Sequence, residues 1–169
     1  MERGLLGVGA VALAAVLLAA GCAGRRIERG VYHSPKGYRL TIPGADWRVV
    51  EASRADLELR HAGGDAGILA HATCGAAARR SAPALERELL AGLRARRVVE
   101  RAEVSVNGYP GTRAVVEAAR GEGAAPVRIA VYTLRGRQCV WDLIYAAPAA
   151  RFDRWRADFE RFVGSFEAE

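Results

Sequence analysis

Apolar and polar positions divide the chain into one long uncharged run and a series of short alternating segments. No charged residue occurs from Gly4 to Gly24, and Leu5 to Ala20 is built from Leu, Val, Ala and Gly. Beyond that run, Val31-Tyr32-His33 and Tyr38-Arg39-Leu40-Thr41 flank Ser34-Pro35-Lys36-Gly37, which predicts a hairpin. Ile42-Pro43-Gly44 ends it, and Trp47 is expected to fold back onto the core. Leu57 to His61 alternates as a half-buried strand does, Gly63-Gly64 marks a turn, and Gly67 to Cys74 is an apolar run of strand length. Ser81 fits an N-cap and Pro83 a first helical turn. Leu85, Leu89 and Leu93 then recur at helical spacing, with Glu86 and Glu88 early and Arg94, Arg96 and Arg97 late. That pattern predicts a helix from Ala82 to about Arg96.

Four strands are predicted next: Val98 to Val106, Thr112 to Ala119 after an Asn107-Gly108-Tyr109-Pro110-Gly111 turn, Val127 to Leu134, and Cys139 to Ala146. The last two are covered with apolar residues on both faces, apart from Asp142, so the sheet needs a layer on each side. At the end of the chain Phe152, Trp155, Phe159, Phe162 and Phe166 recur at alternating steps of three and four residues. Charged residues fill the other face, which predicts an amphipathic helix from about Ala149 to Phe166 with its aromatic stripe in the core.

Composition narrows the function. With 169 residues there is room for one domain, and 26% charged with 51% hydrophobic residues excludes a disordered chain. Only one apolar stretch is long enough to cross a bilayer, which excludes a multi-span membrane protein. The net charge of +6 comes almost wholly from arginine, since Lys36 is the only lysine. Abundant alanine accompanies it, so base composition explains the arginines before any ligand does. Nucleic acid is not an expected partner, because the N-terminus marks the chain for export.

An apolar stretch bounded by small residues reads as a secretory signal, with an uncleaved membrane anchor as the alternative. Leu17-Leu18-Ala19-Ala20-Gly21-Cys22 decides between them, because it resembles the lipobox of bacterial lipoproteins. Ala19 stands where that family more often has Leu. The resemblance implies cleavage after Gly21 and acylation of Cys22 on its sulfur and new amino group; several acyl chains anchor stably where one does not. It implies a cell-envelope location through a membrane partner. In a Gram-negative host, Ala23 resembles outer-membrane sorting, with the domain facing the periplasm. The organisation expected is a signal peptide over 1–21, a lipidated tether over 22–30 and a domain over 31–169. Arg25, Arg26 and Arg29 lie close to the lipid site.

Tyr38-Arg39-Leu40-Thr41-Ile42-Pro43-Gly44-Ala45-Asp46-Trp47 resembles the opening of PsbP-like proteins. Asp142-Leu143-Ile144-Tyr145, then Phe152 and the helix ending Phe159-Glu160-Arg161-Phe162-Val163-Gly164-Ser165-Phe166, resemble their closing strand and helix. The resemblance implies an α+β fold, a three-layer α/β/α sandwich around a mainly antiparallel sheet. Its members include a photosystem II extrinsic subunit, Ran-binding import factors and bacterial lipoproteins, so the fold transfers no single function.

Catalytic signatures are missing from the sequence. His33, His61 and His71 are widely spaced, and there is no Gly-x-Ser-x-Gly, phosphate-binding glycine loop or Cys-x-x-Cys. The expected protein is therefore not an enzyme, takes no cofactor or metal, and acts through contacts with an envelope partner protein. The alternative is capture of a small ligand or metal in a pocket near His71 and Asp142. In an oxidising compartment, with Cys22 taken by lipid, Cys74 and Cys139 form an even pair and a disulfide is predicted. If their strands are antiparallel neighbours with the cysteines opposed, His71 (three residues before Cys74) faces Asp142 (three after Cys139) on the other face of the sheet. Two separate buried thiols, with Asp142 satisfied by backbone, are the alternative.

Overall fold

The computed structural model describes residues 26–79, 94–119 and 123–168. Its strands, in chain order, are β1 (Arg26–Glu28), β2 (Val31–Ser34), β3 (Tyr38–Thr41), β4 (Trp47–Val49), β5 (Leu57–His61), β6 (Gly67–Cys74), β7 (Arg94–Val106), β8 (Tyr109–Ala119), β9 (Val127–Arg135), β10 (Cys139–Pro148) and β11 (Glu167–Ala168). They form two antiparallel sheets. The small one runs β1-β2-β3-β11, and the large one runs β4-β5-β6-β10-β9-β8-β7. Among the described residues there is one α-helix, α1 (Arg156–Gly164), with 3-10 segments at Gly75–Arg79 and Ala149–Arg154.

The expected three-layer α/β/α sandwich is not what forms. The predicted hairpin becomes the middle of a separate sheet, and this sheet, with α1, covers one face of the large one. Alternation explains why. Tyr32, Tyr38 and Leu40 point inward from β2 and β3 and are buried, so these strands bring their own apolar face. A pattern of covered faces requires cover but does not say whether helix or sheet supplies it. The helix expected over 82–96 lies outside the described residues, except for Arg94–Arg96, which belong to β7. Strand wins there because Arg97 bonds across to Glu117 (3.2 Å), which also accepts from Arg128 (2.9 Å), a cross-strand charge ladder. The 3-10 segment and α1 replace the single helix expected over 149–166, with the break at Trp155. Ordered strand also begins at Arg26, within the stretch read as tether.

Between the sheets lies an aromatic core. Phe152, Trp155, Phe159, Phe162 and Phe166 are all buried, so the stripe packs inward. Phe159 stands 5.4 Å from Tyr145 and 5.8 Å from Tyr132, ring to ring. Trp47 folds onto this core and donates its Nε1–H to Asp158 at 2.9 Å. Burial of each such ring contributes roughly 2–3 kcal/mol.

The β7–β8 turn is tighter than expected. Asn107 (φ 49°) and Gly108 (φ 86°) alone form it, the paired left-handed conformations of a two-residue hairpin. Tyr109, Pro110 and Gly111 continue as strand. Gly111 suits that place because a Cβ there would come within 2.2 Å of the Thr133 carbonyl oxygen.

Candidate functional site

The pairing of β6 with β10 sets the geometry. Cys139 stands opposite Cys74, and Asp142 opposite His71. The cysteines form a disulfide with a Cα–Cα separation of 4.1 Å. Cys139 packs against the aromatic core, while Cys74 is exposed. Asp142 falls on the other face of the ladder. There it shares a buried layer with Ile129, Val131 and Ile144.

Asp142 does gain a partner, but the hydrogen bond comes from Thr133. Its hydroxyl donates to Oδ1 of Asp142 at 2.7 Å, from the opposed position on β9. Burial holds the Asp142 carboxyl above the usual carboxylate range, opposed by the Thr133 hydrogen bond and by the charges of His71 and Arg135. The register with Thr133 is set by the tight β9–β10 turn, in which Arg137 and Gln138 lie between the Gly136 amide and the Cys139 carbonyl it bonds at 2.9 Å. Gly136 is required there because a Cβ would strike the Trp141 ring at 2.5 Å.

His71 is half-exposed and leans toward Asp56, with Nδ1 3.6 Å from Oδ1. Asp56, which the sequence did not single out, ties the two sheets together. It accepts from Tyr38 Oη (2.9 Å), from the Ala72 amide (2.7 Å) and from Lys36 Nζ (2.7 Å). Lys36 also donates to the Ala72 carbonyl at 2.6 Å. The single lysine of the chain thus caps an edge of β6 beyond the end of β5. Burial, then the Asp56 charge, push the Tyr38 hydroxyl far above its ordinary range.

A second polar cluster was also missed. Arg113 on β8 is 7% exposed, donates to Glu100 on β7, and lies 5.8 Å over the Tyr132 ring. Tyr132 donates to Glu160 of α1 at 2.8 Å, and burial followed by that hydrogen bond pushes its hydroxyl up to about 12. Among the described residues no three His, Cys, Asp or Glu side chains gather as a metal would require. Cys22 lies outside the described residues. Among the described residues no helix is long and apolar enough to cross a membrane.

Three concavities frame the small sheet and the disulfide end. The largest, about 860 Å³, lies along β1, β2 and β3 and is lined by Arg29, His33, Arg39 and Glu167 among others. Two more, of about 550 and 460 Å³, flank the β9–β10 turn. None of the three is lined by His71 or Asp142.

The two-sheet architecture has counterparts among solved structures. The cyanobacterial PsbP of Synechocystis sp. PCC 6803 superposes with a TM-score of 0.61 over 89% of this chain and 96% of its own, at 14% identity. The fold is PsbP-like. LpqN, a protein involved in cell envelope biogenesis of Mycobacterium tuberculosis, gives a TM-score of 0.58 at 16% identity, over 79% of this chain and 84% of its own. PA94 of Pseudomonas aeruginosa, a protein of unknown function, gives 0.53 at 13% identity, over 82% and 96%. No protein-family model matches the chain, and no curated protein sequence does. At these identities the likeness concerns the fold alone.

Proposed function

We propose that this PsbP-like domain is a lipid-anchored module of the cell envelope that acts by contacting another envelope protein rather than by catalysis. The observation that carries the reading is the use of the three cysteines. Two meet in a cross-strand disulfide, as suits an oxidising compartment, and the third closes the run Leu17 to Cys22 that resembles a lipobox. The likeness to LpqN, itself an envelope-biogenesis protein, supports the same location. The polar groups brought together in the domain also suit scaffolding. Asp142 is engaged by Thr133 and Asp56 by Lys36, Tyr38 and the β6 backbone, so both carboxylates serve contacts within the fold.

Two experiments test this. Globomycin in the native host should cause the precursor to accumulate, and palmitate should label the protein through Cys22; failure of both would remove the anchor. Envelope crosslinking at native abundance, followed by pull-down, should recover a partner protein. Recovery of the uncrosslinked chain alone would overturn the contact role.

A further inference from the structure

β1 pairs with β2 so that Arg26 stands opposite His33, beside the turn that joins β2 to β3. The chain before Arg26 therefore leaves the small sheet at the end that carries this turn. Lys36, at the tip of the turn, reaches the large sheet and lines the 550 Å³ concavity together with Arg137 and Gln138. The exit of the chain, the disulfide and the β9–β10 turn thus share one end of the molecule. The 460 Å³ concavity on the other side of that turn is lined by Arg79, Arg135 and Arg137. Among the described residues no acidic side chain lines either concavity. Arg79 and Arg137 are exposed and Arg135 is half-buried. At the opposite end, beside the β5–β6 turn, Arg151 pairs with Asp65.

The geometry points to an end-on docking surface for the anionic phospholipid headgroups of a bilayer, formed by Arg79, Arg135 and Arg137. It rests on the reading of Cys22 as the acylated anchor. Cys22 precedes Arg26 by four residues, which span at most about 14 Å even when fully extended. An anchor this short holds the point where the chain leaves the small sheet within about one or two Debye lengths of the headgroups, with the end that carries the arginines turned toward them. Guanidinium groups suit phosphate because their donors match two of its oxygens at once. The lipid and the arginines then act as two attachments, and the second fixes orientation.

The test uses the full-length protein purified from membranes and reconstituted into phosphatidylethanolamine vesicles with or without phosphatidylglycerol. Intact mass reports acylation, and hydrogen exchange reports docking. With phosphatidylglycerol present, exchange over 75–79 and 135–138 is expected to slow roughly tenfold or more, as three arginines near an anionic surface warrant. Exchange over 62–66, at the far end, stays unchanged. High salt and the triple variant Arg79→Gln, Arg135→Gln, Arg137→Gln should each abolish the slowing, and the salt arm stands even if the variant folds poorly. Equal exchange on both vesicles with the acyl mass present overturns the docking surface alone. Absence of the acyl mass overturns the anchor and the docking surface with it.

Discussion

On the inner face of the β6–β10 ladder, Cys139, Trp141, Leu143 and Tyr145 look into an aromatic core; on the outer face, Asp142 and Ile144 meet Thr133, Val131 and Ile129. One strand, β10, serves both, because side chains alternate. The inner face is held by apolar area, which is non-directional, and by one covalent bond. The outer face depends on a directional contact, since a buried carboxylate is costly without a donor. A slip of one residue would exchange the faces, placing Asp142 among the rings.

The largest effect should come from the inner face. Phe159→Ala removes a fully buried ring that touches Tyr132, Tyr145 and Phe162, and should cost about 3–5 kcal/mol in urea unfolding. A loss under about 1 kcal/mol would show that the ring contributes far less than its burial implies. Next comes the covalent lock. Replacing Cys74 and Cys139 together by Ala should cost about 2–4 kcal/mol, and added reductant should then change the variant's unfolding midpoint no further. On the outer face, Thr133→Val keeps the volume but takes the donor from Asp142; about 2 kcal/mol should be lost at neutral pH, and less in acid.

The smallest effect is expected from Asp142→Asn, and it should depend on pH. Burial raises the Asp142 carboxyl in the folded chain, which therefore binds its proton more tightly than the unfolded chain. That contribution is full at pH below the unfolded carboxylate range and is lost as pH rises toward the folded value. Asparagine keeps an acceptor for Thr133 without the charge. Its stability profile should be flatter, so it gains on the native protein as pH rises through that window. Parallel profiles would show that Asp142 titrates normally.

Several of these features are legible in the residues themselves. The disulfide is legible in the even pair of cysteines left for an oxidising compartment, and with those cysteines opposed the His71–Asp142 opposition follows from equal offsets along antiparallel strands. The Thr133 contact was less accessible, because the β9–β10 turn centres on Arg137 and Gln138 rather than on Gly136, and that shift decides which residue of β9 faces Asp142. Asp56 and Lys36 were not accessible, because their meeting depends on how one sheet docks on the other. Short strands escaped for a different reason: β1, β4 and β11 hold three, three and two residues, too few for alternation to register. The α/β/α expectation failed because two-sided burial is the same signal whichever kind of element provides it.

The small sheet is built from both extremes of the described chain. β11 pairs with β3, and the Arg39–Glu167 contact that fastens them spans 128 residues. A chain delivered N-terminus first, from a ribosome or through a translocation channel, therefore holds three strands of this sheet long before the fourth exists. Closing so long a loop carries an entropic cost and slows folding. Completion of the small sheet thus waits for β11. Until then Tyr32, Tyr38 and Leu40 lack the Phe166 end of their core.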